Sequence, residues 1–457
     1  MVGLADLLLP MPATAPTPLS PSLAQLIRFT LPVMLAALAT PLMGLVDTAV
    51  LARLGDAAVL AAAAVGATVF TVVYWCFSFL RFTTTGLVAQ AAGHGDADEI
   101  VLAGLRPMLA AAGGGLAIWL LQWPIARLAF WCLAPPAEVA RLARLYFDAR
   151  IVSAPFTLLG YAQFAWLLGL GHSRQVMLLQ LFMNGLNAAL SLLFVLGWHW
   201  GIAGAGAATA LSEALTCALA WRAMLAITPW SRWRAALPRA AGAAPWRRLF
   251  AANLDIMLRT LLLTAAFALM TRQAARLGTM TLAANQIVLQ AFMLCVSLLD
   301  GFAVAAEVHG ARAIGAASPG ALETIVRRCA WLSLIWGGAL SLLLAAAGPT
   351  YLELITPDPA LRHEAARYWP WLVALPLVCI WAFFWDGVFM GAMRTRTLRN
   401  GMLLSFAVYL PCQLLGSDRW GNHGVWAALM VFMAMRGMVL ALAWPGLKSA
   451  VGTGRPH

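Results

Sequence analysis

Along this chain the polar positions fall into short gaps between long apolar stretches. Runs long enough to cross a hydrocarbon core lie at 29–52, 58–80, 101–122, 146–170, 175–197, 202–226, 251–273, 281–305, 329–349, 368–392, 401–416 and 424–445. A helical crossing needs roughly 20 apolar residues, so this pattern predicts twelve transmembrane helices. Backbone polar groups in lipid must be satisfied within each segment. Continuous Leu- and Ala-rich runs do this as helices, whereas a barrel would show short segments of alternating hydrophobicity. The predicted fold class is an all-α integral membrane protein.

Composition strengthens this picture. Of 457 residues 62% are hydrophobic and 11% charged, with a mean hydropathy of +0.82, whereas a soluble domain is about 45–50% apolar and about 25% charged. The net charge of +12 does not point to nucleic acid, because the arginines lie between apolar runs and face headgroups there. Lys and Arg concentrate on the side of the even-numbered loops, most densely at Arg222, Arg232, Arg234, Arg239, Arg247 and Arg248. Positive residues remain on the cytoplasmic side, so both termini are expected there. Met1 to Gln25 is rich in Pro and Ala, carries no Lys or Arg, and reads as an uncleaved cytoplasmic tail.

The basic stretch 227–248, with Pro229, Pro238 and Pro245, divides the runs six and six. The expected organisation is a tail at 1–25, a six-helix lobe at 26–226, a cytoplasmic linker at 227–248, a second lobe at 249–446 and a tail at 447–457. An internal repeat supports it. Trp200-Gly201-x-x-Gly204-x-x-Ala207-Ala208 returns as Trp420-Gly421-x-x-Gly424-x-x-Ala427-Ala428, and Gly171 with Arg174 returns at the same offset as Gly391 with Arg394. Ala52-Arg53-Leu54-Gly55 returns nearly at that offset as Ala275-Arg276-Leu277-Gly278. Six helices per repeat preserve orientation, so the lobes are parallel repeats about an axis along the membrane normal, an arrangement of alternating-access transporters.

Ionisable groups inside spans cost about 2.5–3.5 kcal/mol on insertion scales and are functional candidates by default. Asp47 closes the passage Pro41-Leu42-Met43-Gly44-Leu45-Val46-Asp47, with Pro32 and Pro41 as points where the first helix can bend. The competing reading is an interfacial carboxylate hydrated or paired near Arg53 and Asp56. Asn184, Asn187, Ser191 and Thr209 place neutral polar groups on the fifth and sixth helices, where they either face Asp47 or make ordinary interhelical hydrogen bonds. In the second half, Asp255 and Arg259 share a face of the seventh helix, Asp300 and Glu307 a face of the eighth, and Asp386 and Arg436 lie inside later spans. These form a charged network serving either packing or transport.

Seven single cysteines without C-x-x-C spacing read as small core residues. The histidines show no metal-ligand cluster. Lys448 is the only lysine, so no P-loop is present and ATP does not drive the protein directly.

These passages resemble the multidrug and toxic compound extrusion (MATE) transporters, specifically their bacterial DinF-like branch, from about residue 25 to 445. The resemblance is carried by Pro41 to Val50, Val65-Gly66-Ala67-Thr68, Phe79 to Gln90, Asn253 to Arg259, Leu299 to Glu307, and Asp386-Gly387-Val388-Phe389-Met390-Gly391. It implies a V-shaped pair of six-helix bundles and export of lipophilic, often cationic compounds in exchange for entering H⁺ or Na⁺. Asp47 resembles the family's first-helix carboxylate, Pro32 its bending proline, and Asn187 and Thr209 its polar partners. Ser191 stands where the family carries a second carboxylate. Loss of one anionic ligand weakens a Na⁺ cage more than a single proton acceptor, so the expected coupling ion is H⁺ at Asp47, with no other cofactor. Asp255 and Asp386 resemble a rival cation site, disfavoured for Na⁺ by the neighbouring Arg259. The expected protein is a monomeric exporter in a bacterial inner membrane. The alternatives are a flippase for a lipid-linked precursor and a membrane-embedded enzyme.

Overall fold

The computed structural model of the chain describes residues 19–452, with the side chains at 40–43, 45, 243–245 and 248 outside the described set. The outer parts of both expected tails and the side chain of Pro41 therefore lie outside the described residues. Among those described there are helices and no strand. The helices are α1 Leu23–Ala52, α2 Ala57–Trp75, α3 Phe79–His94, α4 Ala97–Leu120, α5 Gln122–Leu133, α6 Ala137–Arg150, α7 Ala154–Gly169, α8 Ser173–Ser191, α9 Gly201–Ile227, α10 Trp230–Ala240, α11 Ala243–Arg276, α12 Thr279–Gly315, α13 Pro319–Ile355, α14 Pro359–Gly391 and α15 Thr395–Gly452.

Helix starts are specified locally. Asp56 accepts a hydrogen bond from the amide of Ala58, Asp96 from those of Asp98 and Glu99, Ser318 from Ala321 and Asp358 from Ala360. Each satisfies a backbone donor that has no partner within the helix. Pro319 and Pro359 follow two of these caps, where a missing amide costs nothing.

Ten helices or joined helix pairs are long and apolar enough to span a membrane. They are consistent with the twelve expected crossings. α15 contains a break at Gly421 (φ 56°, ψ −135°), between the runs expected at 401–416 and 424–445. α1 supplies the run expected at 29–52, with Leu23–Ala39 as its clearly apolar part.

The chain divides into two compact units, one of residues 35–92 and 96–246, the other of 19–34, 93–95 and 247–452. In the first, α4 packs along α7, α9 lies against α6 and α8, and α2 lies against α6. Trp166 of α7 faces Gly104 of α4 so closely that a Cβ there would stand 2.3 Å from its ring. The segment read as a linker contains α10, whose Trp233 is buried against Trp166 and Trp221 at ring separations of 5.6 and 5.4 Å. Arg239 of α10 pairs with Asp98 of α4 at 2.7 Å.

The second unit is built around α14, which packs on α12, α13 and α15. Its apolar core includes Met270, Phe292, Leu299, Leu372, Trp426 and Phe432. Some of its polar groups pair with one another, while both amide atoms of Gln413 and the hydroxyls of Ser333 and Ser341 are buried without a hydrogen-bond partner among the described residues. The Tyr409 hydroxyl donates to the Ala266 carbonyl at 2.8 Å, and Asn285 and Asn422 exchange hydrogen bonds at 2.7 and 2.8 Å. The start of the chain belongs to this unit: Arg328 donates to the Ser20 and Pro21 carbonyls, and Phe29 meets His309 edge-on at 5.0 Å. α1 thus changes unit after Met34, two residues beyond Pro32.

The cysteine expectation needs correction. Cys217, Cys295, Cys329 and Cys379 are buried, but Cys76 and Cys132 are exposed. In an apolar span a thiol fits a lipid-facing position as readily as a core one, so sequence surroundings did not separate the two.

Candidate functional site

In the first unit the polar residues of α8 recur every three or four positions, so Asn184, Asn187 and Ser191 line one face. That face meets α1 and α9. The Ser191 hydroxyl donates to Asp47 Oδ1 at 3.1 Å, and Asn187 Nδ2 donates to Thr209 Oγ1 at 2.9 Å. Thr209 in turn donates to the Ala205 carbonyl at 3.1 Å. Asn187 and Ser191 are fully buried, while Asp47 retains partial exposure. Asn184 is near the pair but is not bound into it: both its amide atoms, and Asn187 Oδ1, are buried without a hydrogen-bond partner among the described residues. Buried amides of this kind call for a proton, an ion, a water or a ligand to complete them.

Directly after Ser191, α8 widens into a π-helical turn, Leu192–Gly197, in which the Trp198 amide donates to the Leu193 carbonyl at 2.8 Å. Such turns are uncommon and cluster at functional sites.

A second polar group of this unit escaped the sequence reading. Glu213 lies one turn beyond Thr209 on α9, and its Oε2 accepts a hydrogen bond from Thr157 of α7 at 2.5 Å. Arg150, at the end of α6, donates to the Tyr146 hydroxyl at 2.8 Å and lies over the Phe70 ring at 4.7 Å. The available signal was position: Glu213 is a lone carboxylate mid-way along an otherwise apolar run, the placement that marks a functional candidate.

In the second unit the charged residues pair differently from the expected set. Arg259 of α11 and Arg436 of α15 both donate to Oδ2 of Asp386 on α14. Asp255 accepts from Thr395 Oγ1 at 2.8 Å and from Arg399 Nη1 at 2.7 Å. Asp255 and Arg259 thus share a face of α11 but reach different partners, and Arg399 was not foreseen. Asp300 is half-buried on α12 and Glu307 buried two turns later. Arg436 is the most enclosed of these residues, 2% exposed and stacked over Phe383 and Phe432 at 5.7 and 5.8 Å.

The MatE family model matches the chain in two stretches, residues 32–193 and 256–415. The chain belongs to the MatE family. It is 35% identical over 417 residues to DNA damage-inducible protein F of Escherichia coli K12, covering 91% of each chain, which places it with the DinF-like branch. It is 28% identical to a probable multidrug resistance protein NorM of Chromobacterium violaceum, covering 91% of this chain and 92% of that one. Among solved structures, an outward-facing multidrug resistance MATE transporter superposes with a TM-score of 0.83 at 17% identity, covering 94% of this chain and 96% of that one. A MATE structure in a straight conformation gives 0.85 at 18% identity, covering 94% and 97%. These superpositions establish the shared fold. Homologues in this family are membrane transporters, and the chain is a multi-pass membrane protein of that kind.

Proposed function

We propose that this MatE-family chain is a secondary multidrug exporter that moves lipophilic, often cationic small molecules out of the cell while protons enter, with Asp47 as the proton carrier. The observation that carries this reading is a contrast between carboxylates. Asp47 accepts from the neutral Ser191 hydroxyl, whereas Asp255 and Asp386 are each bound to guanidinium groups. A carboxylate held by a fixed cation has little to gain from a proton or Na⁺, and one held by a hydroxyl can exchange its proton. Ionised Asp47 then favours binding of a cationic substrate on the cytoplasmic side, and protonation from the periplasm favours release. The exchange conserves charge for a monocation. Bending of α1 at Pro32 is the proposed mechanical consequence, since a proline inside a helix weakens the hydrogen-bond ladder there.

The setting is a bacterial inner membrane with both termini cytoplasmic, and a single chain suffices. The test is efflux of a fluorescent organic cation from proteoliposomes under separate H⁺ and Na⁺ gradients. Wild-type flux should follow the H⁺ gradient, and Asp47→Asn should abolish that dependence. Retained H⁺-driven flux in the variant would sink the assignment.

One observation favours a second reading. The Arg259–Asp386–Arg436 cluster holds two guanidiniums for one carboxylate, and a surplus cation suits an anionic headgroup, as a lipid-linked precursor flippase would require. Accelerated flipping of such a lipid without any gradient would establish it. The enzyme alternative has no comparable support, since the homologues of this chain are transporters.

A further inference from the structure

α9 carries its exposed residues on one stripe. Leu211 and Leu215 are 41% and 43% exposed, and Ala218 and Arg222 continue the row at the spacing of a single helical face. The opposite face turns into the unit, where Thr209, Thr216 and Ala220 are buried. The stripe is therefore the lipid-facing side of the span. Arg222 stands just over one turn before the helix end at Ile227, at a level where a long cationic side chain reaches the headgroups.

α10 starts after Thr228 and Pro229 and packs back on that end of α9. Trp230 and Trp233 meet Trp221 at ring separations of 6.2 and 5.4 Å, and the Trp233 ring donates to the Thr228 carbonyl at 3.2 Å. Trp221 precedes Arg222 and Trp233 precedes Arg234, so the contacts that hold α10 to α9 bring both arginines to one junction. Trp233, Ala236 and Ala240 form the buried face of α10. Trp230, Arg234 and Leu237, spaced i, i+4 and i+7, form an exposed face beside it, with Trp230 52% and Leu237 42% exposed. Apolar side chains flanking an arginine are what an interfacial helix presents to a bilayer, and Trp rings settle at that level.

Neither Arg222 nor Arg234 has a carboxylate partner among the described residues. Asp98, the carboxylate that α10 does reach, is bound by Arg239. Two uncompensated guanidiniums at the end of an apolar stripe complement a molecule that is anionic at one end and apolar along the rest. We infer that the junction of α9 and α10 is a docking site for an anionic phospholipid. An acyl chain lies along Leu211 and Leu215, Trp230 and Leu237 sit at the glycerol level, and Arg222 and Arg234 hold the phosphodiester. α10 also buries Trp233 against Trp166 of α7 and ties Arg239 to Asp98 of α4, so an occupied site braces the ends of three spans.

The test titrates the full-length protein in neutral detergent with phosphatidylglycerol and, separately, with phosphatidylcholine of the same chains, and counts bound lipid by native mass spectrometry. Phosphatidylglycerol should bind the wild type more tightly and raise its melting point. Arg222→Gln and Arg234→Gln should each weaken that binding about fivefold, the equivalent of about 1 kcal/mol per arginine at an anionic surface. Arg234→Lys, which keeps the charge, should retain most of it. Arg232→Gln, on the flank of α10 away from this face, should change it less than about twofold. All three arginines are exposed, so the variants should melt in phosphatidylcholine as the wild type does. Equal losses in Arg232→Gln and Arg234→Gln would replace the site with diffuse charge attraction and overturn the inference. Equal affinity of the wild type for the two lipids overturns it as well, and so does displacement of the lipid by equimolar inorganic phosphate, which would make the ligand a free anion.

Discussion

A carboxylate inside a membrane takes its role from the group that holds it. Asp386 is 8% exposed and bound by two guanidiniums; removing its charge leaves both buried and unpaired. Breaking buried pairs costs about 3–5 kcal/mol. Asp386→Asn is therefore expected to lower the thermal melting point of the detergent-purified protein markedly, well beyond the change caused by Asp47→Asn; equal melting of the two would show that the cluster contributes no stability. Ser191 makes the opposite case. It already touches Asp47 at 3.1 Å, so Ser191→Asp would put two carboxylates beside the unpaired Asn184 and Asn187 amide oxygens, a donor set of the kind hard cations prefer. The variant should acquire Na⁺-stimulated efflux that the wild type lacks. Asp47, Asn187, Ser191 and Thr209 were legible in the sequence because polar residues stand out in apolar runs. Arg150 and Glu213 belong to the same class but were passed over. Their partners, Thr157 for Glu213 and Phe70 for Arg150, lie on helices distant in sequence, which spacing along one helix does not reveal.

At the scale of elements, the contact between α12 and α14 depends on two small residues. A Cβ added at Gly387 would stand 2.2 Å from the Ala303 carbonyl oxygen, and one at Gly391 would stand 2.3 Å from that of Glu307. Four residues apart, the two glycines let α14 press its backbone onto α12, as small-xxx-small motifs do in membranes. Because the obstructing atoms are backbone, the helices themselves would have to separate. Gly387→Ala should destabilise the second unit by about 1–3 kcal/mol, read as faster proteolysis or a lower melting point in detergent. A neutral effect would mean that α12 and α14 do not sit this close in the membrane. Most spans were legible as elements, because hydropathy alone delimits a run in lipid. The structure differs where hydropathy carries no signal: the break at Gly421 inside α15, the separation of α3 from α2, and the helix α10 within a proline-bearing basic stretch. Trp233 explains the last, since α10 buries that ring against Trp166 while its arginines stay outside.

For the whole molecule, the helix count and the charge distribution lead to one testable arrangement. Each crossing reverses the chain, so an even number of spans returns both ends to the same side. The ten long apolar helices reach the even count of twelve only if α15 crosses twice, turning at Gly421, and α1 crosses once. The positive-inside rule then selects the side, because the segment around Arg232, Arg234, Arg239 and Arg247 lies between the sixth and seventh crossings. A fluorescent protein fused after residue 452 should therefore be bright and alkaline phosphatase at the same point inactive. A second pair of fusions in the turn at Gly421 should give the reverse result. If both pairs report the same side, α15 does not cross twice, the count becomes odd, and the C-terminus no longer shares a side with the basic segment between the sixth and seventh crossings.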